Sequence, residues 1–410
     1  MSSGSPITIL SFEDARHLVE QHASQIRARG TETVELLAGA GRVLAEAVLA
    51  DRDIPPFARS TRDGYAVRAA DLFELPARRN VIGEIKAGES LERIPSRVSS
   101  GQAVAIMTGA PVPDGADAVV MVEYTARDGD WVEITKGVAA GDNIVPRGAE
   151  ARQGAVLLDR GLRLNDVGVA LAASAGKTKL AVYQRPRVAL LTTGDEIVEI
   201  GGTPGPTQIR NSNSYSLAVQ IQEAGGEAVL LPIAPDEPKA LRELIALGLQ
   251  SDLLLMTGGV SMGRYDLVEP VLAEMQAEFF FTGAKIQPGR PVVFGRCAQR
   301  YFFGLPGNPI STMVTFELFA RPMLEALAGQ AARKLMFLHA RLKKEIRIKT
   351  GLKRFLPAIL AGEFEDCGVE LVRWQGSGDI AATARANCYI VIPDDREHIA
   401  AGEWVAVMMR

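Results

Sequence analysis

From residue 187 to about residue 328, short runs that are apolar throughout alternate with longer stretches whose apolar positions recur every three or four residues. The runs RVALLTT, EAVLLPI, DLLLMTG, EFFFTGAKI and YFFGLP read as strands buried on both faces. Residues 214–224, 238–249, 267–275 and 310–327 read as helices. Strands separated by helices predict a largely parallel sheet covered on both faces, a three-layer α/β domain over residues 182–331.

The flanks carry other patterns. Residues 11–29 open with Ser11 and Asp14 in capping-box spacing, then place Ala15, Leu18, Val19, His22 and Ile26 near one face of a helix. After Ile54-Pro55-Pro56 come the short β-rich runs VIGEIKAG, QAVAIM, ADAVVMV and WVEITK, separated by turn signals as far as Asn143. Residues 144–181 return to a helical pattern, with Asn165 as N-cap of DVGVALAASAG. An inserted segment keeps its ends close, so residues 54–143 are expected to form a β module inserted in a discontinuous helical domain, residues 7–53 and 144–181. Beyond Lys334 the strand-like runs FLHARLKKEIRIK, RFLPAIL, VELVRW, CYIVIP and EWVAVMM predict a β-barrel-like domain over residues 332–410. The fold class is multidomain α/β.

Composition narrows the function. The 410 residues, 47% hydrophobic and 23% charged, are ordinary globular material for roughly two to four domains. A formal net charge of -4 offers no broad basic face, so nucleic acid is not an expected partner. Small anions remain compatible with local N–H groups and a few Lys or Arg. Cys297, Cys367 and Cys388 lie far apart and match neither zinc nor disulfide spacing, which suits reduced thiols in a cytoplasm. No run reaches the roughly 20 apolar residues of a membrane helix, and MSSGSPITIL is not a secretory signal, so no membrane association is expected.

In an open parallel sheet, ligands bind outside the carboxyl ends of the strands. Thr192-Thr193-Gly194-Asp195-Glu196, Ala234-Pro235-Asp236, Thr257-Gly258-Gly259-Val260-Ser261-Met262-Gly263 and Gly304-Leu305-Pro306-Gly307-Asn308-Pro309 all follow strand-like runs. Gly258, Gly259 and Gly263 allow close backbone approach to a phosphate or another tetrahedral oxyanion. Asp195, Glu196, Asp236 and Asp266 would repel such a ligand unless a hard cation intervened, which implies Mg²⁺. Each motif alone reads equally well as a turn or a helix cap; their gathering on one rim is what points to a site. Gly176-Lys177-Thr178 is not a phosphate loop, because Leu171 stands where the first glycine belongs.

Taken together, Asp63-Gly64-Tyr65-Ala66, Met107-Thr108-Gly109-Ala110-Pro111-Val112-Pro113, Thr193-Gly194-Asp195-Glu196, Thr257-Gly258-Gly259-Val260-Ser261, Pro288-Gly289-Arg290-Pro291 and Gly304-Leu305-Pro306-Gly307-Asn308-Pro309 resemble the molybdopterin molybdenumtransferases, the family of bacterial MoeA and the gephyrin E domain. The resemblance runs from about residue 10 to the C-terminal module. It implies an elongated homodimer that converts adenylylated molybdopterin and molybdate to molybdenum cofactor and AMP with Mg²⁺ assisting, next to the molybdopterin adenylyltransferase in the same pathway. It also implies roles: Asp63 and Thr108 at the active site across the dimer; Glu196, Asp236 and Asp266 beside nucleotide and metal; Thr193, Gly194, Asp195, Gly258, Gly259, Ser261, Gly263, Pro306, Asn308 and Pro309 in the substrate loops. Two places depart from the family pattern. Glu150 of Gly148-Ala149-Glu150 stands where an Asp is common, and Gly283 and Gln287 replace lysines of some members, leaving Lys285 and Arg290 to hold an oxyanion. A molybdopterin adenylyltransferase and a gephyrin-like scaffold are the competing readings.

Overall fold

The computed structural model describes residues 8–28, 30–90, 95–259, 267–331 and 334–410. Helix α1 (Phe12–Ser24) begins where the Ser11 hydroxyl accepts from the Asp14 N–H at 3.0 Å and donates to the Asp14 carboxylate at 2.7 Å. Helix α2 (Asp166–Ser174) is capped by Asn165, whose side chain accepts from Gly168 N at 2.9 Å. The helical reading of residues 144–181 extends no further than α2. Gly148, Gly154 and Gly161 turn the chain at positive φ, and short ladders form on either side of α2: Val156–Leu158 with Val48–Leu49 before it, and Lys179–Tyr183 with Thr31–Glu35 after it. Leu44, Val48, Leu158, Leu180 and Val182 pack with Ala172 of α2 into a small core.

Helix α1 does not join that core, although sequence alone groups residues 7–53 with 144–181. Ile9–Leu10 pairs in parallel with Gly283–Ala284 in a separate two-stranded ladder, which tethers the N-terminal segment to the central α/β domain. Phe12, Ala15 and Val19 are buried there. The β-rich segment forms a six-stranded sheet from Gly64–Val67 to Trp131–Ile134. Its entering and leaving chains run side by side, with Arg59–Ser60 antiparallel to Ile144–Val145 and Ile54 bridged to Ala151. In the C-terminal segment Lys353–Ala361 pairs with both Gly368–Leu371 and Cys388–Ile392, closing a five-stranded barrel around Leu342, Leu356, Val369, Ile390 and Val407.

The central sheet contains β1 (Arg187–Thr192), β2 (Glu227–Leu230), β3 (Leu253–Thr257), β4 (Glu278–Phe281), β5 (Val293–Cys297) and β6 (Arg300–Leu305), in the order β2-β1-β3-β6-β5-β4. The first four positions are parallel; β5 is antiparallel to both neighbours. Strand β5 went unread in the sequence because Pro291 and Gly295 break its apolar run. Period-two alternation sorts the side chains between two cores. Val188, Leu190, Leu253 and Leu255 face α1, α3 (Asn213–Glu223), α6 (Pro309–Thr315) and α7 (Arg321–Leu327). Ala189, Leu191, Leu254 and Met256 face α4 (Pro238–Gly248) and α5 (Val268–Glu274).

Residues 310–327 were expected as one helix and contain a π turn, Phe316–Ala320, between α6 and α7. Pro322 supplies the physical reason. It has no N–H for the carbonyl of Leu318, and its ring crowds that carbonyl. Arg16 of α1, 7% exposed, provides the missing donor through its guanidinium and also pairs with Glu20 at 2.7 Å. Among the described residues no helix is long and apolar enough to cross a membrane. Replacing Arg16 by Leu leaves a buried carbonyl unsatisfied, so Arg16→Leu should cost about 1–3 kcal/mol in urea unfolding; a change below about 0.5 kcal/mol would show that the guanidinium is not needed there.

Candidate functional site

Strands β1, β3 and β6 run the same way, so the loops that follow them meet at one edge. They surround a cleft of about 730 Å³ lined by Thr192, Thr193, Glu196, the N-terminus of α3, Thr257, Gly258, Gly259 and the Pro306–Pro309 turn, with Gly378 and Ile380 closing from the C-terminal barrel.

The loops are held by close backbone contact. Gly258 has φ 86°, and a Cβ on it would lie 2.5 Å from the Thr193 carbonyl oxygen; a Cβ on Gly259, at φ 61°, would lie 2.7 Å from Thr193 Oγ1. Only glycine allows this approach, which leaves bare backbone at the cleft. Asn213, 8% exposed at the start of α3, donates from Nδ2 to Thr257 Oγ1 at 2.9 Å and to the Gly307 carbonyl at 2.7 Å. One amide therefore ties the α3 N-terminus to the β3 and β6 loops. The carbonyl partner fixes which amide atom is nitrogen, and the Asn213 Oδ1 is buried without a hydrogen-bond partner. Thr192 Oγ1 lies 2.7 Å from Ser214 Oγ, and Thr312 donates to the Pro306 carbonyl, so the hydroxyls serve the walls.

Charge in the described cleft comes from Glu196 and Arg210. Arg210 Nε donates to the carbonyls of Ile200 at 3.1 Å and Gly202 at 3.2 Å, holding the strip formed by Ile197–Val198 and Ile209–Arg210. A helix N-terminus, bare loop backbone and one cation together suit a phosphate group.

The expected residues divide. Thr193, Glu196, Gly258, Gly259, Pro306, Asn308 and Pro309 line the cleft. Gly194 adjoins it and lies under the Glu196 carboxylate, 2.5 Å from where its Cβ would be. Asp195 instead accepts the Asp236 N–H at 3.1 Å, fastening the turn after β2; neither carboxylate lines the cleft. Ser261, Gly263 and Asp266 lie outside the described residues. Of the two expected metal ligands that are described, Glu196 is on the cleft and Asp236 is not, and no group of three or more His, Cys, Asp or Glu gathers around a common point among the described residues. Arg290 lines an adjoining hollow of about 440 Å³ that shares Pro291, Pro306 and Asn308 with the cleft. Lys285 lines neither. Gln287 accepts from Nε of the buried Arg354 at 2.7 Å, so a barrel guanidinium sits beside the position where the resemblance led to an expectation of lysine. Glu150 pairs with Arg59 at 3.2 Å at the neck of the β module, away from the cleft.

Asp63 and Thr108 are together on the β module and contribute nothing to their own chain's cleft. The Thr108 N–H (2.6 Å) and hydroxyl (2.8 Å) both donate to Asp63 Oδ1 and hold its carboxyl below the usual carboxylate range. Asn211, Asn213 and Arg210 are lining residues that the sequence reading passed over; their signal was the polar run Gln208-Ile209-Arg210-Asn211-Ser212-Asn213-Ser214 between two elements.

Three family models match in succession: the MoeA N-terminal region (domain I and II) over residues 10–176, the "Probable molybdopterin binding domain" over 189–326, and the MoeA C-terminal region (domain IV) over 339–409. A molybdopterin molybdenumtransferase of Haemophilus influenzae is 34% identical over 385 residues, 92% of this chain and 93% of the relative. The chain belongs to the molybdopterin molybdenumtransferase family. The Bacillus subtilis molybdopterin molybdenumtransferase is 32% identical over 388 residues, covering 92% of this chain and 90% of the relative. The crystal structure of the molybdopterin biosynthesis moeA protein of Pyrococcus horikoshii OT3 superposes with a TM-score of 0.80 at 29% identity, over 98% of this chain and 100% of that one. As a molybdopterin molybdenumtransferase, the chain is a transferase of molybdenum cofactor biosynthesis.

Two outcomes test the geometry in this molybdenumtransferase. Asn213→Ala removes the donor to the buried Thr257 hydroxyl and to the Gly307 carbonyl and should lower unfolding stability by about 1–3 kcal/mol; unchanged stability would mean the three loops are fastened otherwise. A depressed carboxyl pKa contributes stability above its ordinary value and loses it as pH falls through the folded one. Thr108→Val deletes one of the two donors, so the Asp63 carboxyl titration followed by NMR should move up in pH; an unmoved titration would show that the hydroxyl bond is not made in solution.

Proposed function

We propose that the chain inserts molybdenum from molybdate into adenylylated molybdopterin and releases AMP, with the strand-tip cleft holding the nucleotide and its diphosphate. The observation that carries this reading is the meeting of Thr193, Gly258-Gly259, the Pro306–Pro309 turn and the α3 N-terminus around one cleft. Membership of the molybdopterin molybdenumtransferases supports it.

In this reading Gly258, Gly259 and the start of α3 bind phosphate oxygens, and Arg210 balances part of the charge. Mg²⁺ needs one or two carboxylates when phosphate oxygens and water complete its shell, and Glu196 meets that minimum. When bound, the ion would neutralise charge on the diphosphate as adenylate leaves. The described lining holds neither His nor Cys, so these side chains act by positioning and charge stabilisation. Asp63 and Thr108 act on the cleft of a second copy of the chain, in a homodimer. The Thr108 bonds favour the ionised form of Asp63 there. Arg290, in the hollow beside the cleft, and Lys285 are the cations assigned to molybdate, and Glu150 adds charge from the neck of the module.

The test is molybdate-dependent AMP release from adenylylated molybdopterin. Asp63→Asn and Glu196→Gln should each lower it at least roughly 100-fold, the scale of a lost transition-state contact, with melting temperatures nearly unchanged. Glu196→Gln should also remove any strengthening of AMP binding by Mg²⁺ in calorimetry. Parallel loss of folding, or pyrophosphate release from ATP and molybdopterin in place of AMP release, would overturn the assignment, the latter in favour of an adenylyltransferase.

A further inference from the structure

The central sheet has a second pole. Arg187 opens β1 and Arg300 opens β6, at the far ends of strands whose other ends form the cleft. Five peptide steps of about 3.3 Å each separate the two ends of either strand. At this basal pole lies a concavity of about 610 Å³, and its described lining includes Arg27, Arg185, Arg187, Arg296 and Arg300 with Asp252 as the sole carboxylate.

Asp252 is already engaged. Its Oδ2 accepts the Arg187 N–H at 2.9 Å, and its Oδ1 lies 3.5 Å from Arg300. Arg296 pairs with Glu278 at 2.8 Å outside the concavity. Arg27, Arg185 and Arg187 make no side-chain ion pair among the described residues. A chain with net charge -4 has carboxylates enough to neutralise these groups, yet five arginines line this concavity and Asp252 is the one acid among its described lining residues. Such an arrangement raises the local concentration of anions and favours ligands with several closely spaced negative oxygens. Guanidinium forks match phosphate oxygens two at a time, and the volume is that of a small-molecule site.

We propose that this basal concavity binds a compact oligophosphate anion, separately from the strand-tip cleft. Inorganic oligophosphate and the phosphate chain of a nucleoside triphosphate share the required chemistry. Arg27, Arg185 and Arg187, which make no ion pair among the described residues, supply the contacts, while Arg300 is engaged by Asp252.

Calorimetric titration of the intact protein with inorganic tripolyphosphate tests this. The wild type should show binding that weakens steeply with salt, and Arg27→Gln/Arg187→Gln should weaken it roughly 100-fold, about tenfold for each charged contact. AMP binding at the strand-tip cleft should be the same in both proteins, so failure of that cleft would be read separately. If the double variant melts early, Arg185→Gln alone should show the single tenfold loss. Comparing ATP with tripolyphosphate separates the sources: tighter ATP binding points to the nucleotide, equal binding to the bare phosphate chain. Undiminished tripolyphosphate binding in the variants, or binding of polyglutamate with none of tripolyphosphate, would overturn the proposal.

Discussion

Thr193 and Gly258 lie almost backbone to backbone, and the rest of the cleft follows from that contact. A Cβ at Gly258 would sit 2.5 Å from the Thr193 carbonyl oxygen, so the β1 and β3 loops can touch only because one of them carries no side chain. Once they touch, the α3 N-terminus closes over them and Asn213 reaches both Thr257 and Gly307. Parallel strands supply the direction, glycine supplies the proximity, and a buried amide fastens the result.

Much of this was legible in the sequence because its physics is local. Both-face burial makes the parallel strands continuous apolar runs, and β1, β3 and β6 were read within a residue or two. Caps were equally plain: Ser11 and Asn165 do what their spacing predicts. The strand-tip glycines read as allowing close approach to an anion; the close approach that the structure shows at Gly258 and Gly259 is to Thr193, which only tertiary structure supplies. What escaped was non-local. Strand β5 is interrupted by glycine and stands only because β4 and β6 flank it. The π turn answers Pro322, and its carbonyl is satisfied by an arginine 302 positions away.

The carboxylates show the same limit. Asp195, Glu196 and Asp236 follow strand ends and read as one acidic rim, but their side chains go different ways: Asp195 caps the Asp236 turn, while Glu196 folds over Gly194 into the cleft. Asp63 and Thr108 form a tight pair far along the chain from the strand-tip loops, so their role rests on what faces them in an assembly. Arg354, buried beside Gln287, places charge near the Arg290 hollow from a barrel strand that no pattern in residues 283–291 foretells.

The most direct measurement is a crystal structure of the protein soaked with AMP and magnesium. The phosphate should lie against Gly258 and Gly259 at the start of α3, with Glu196 on its metal side. AMP bound at another surface, with the strand tips empty, would contradict the account.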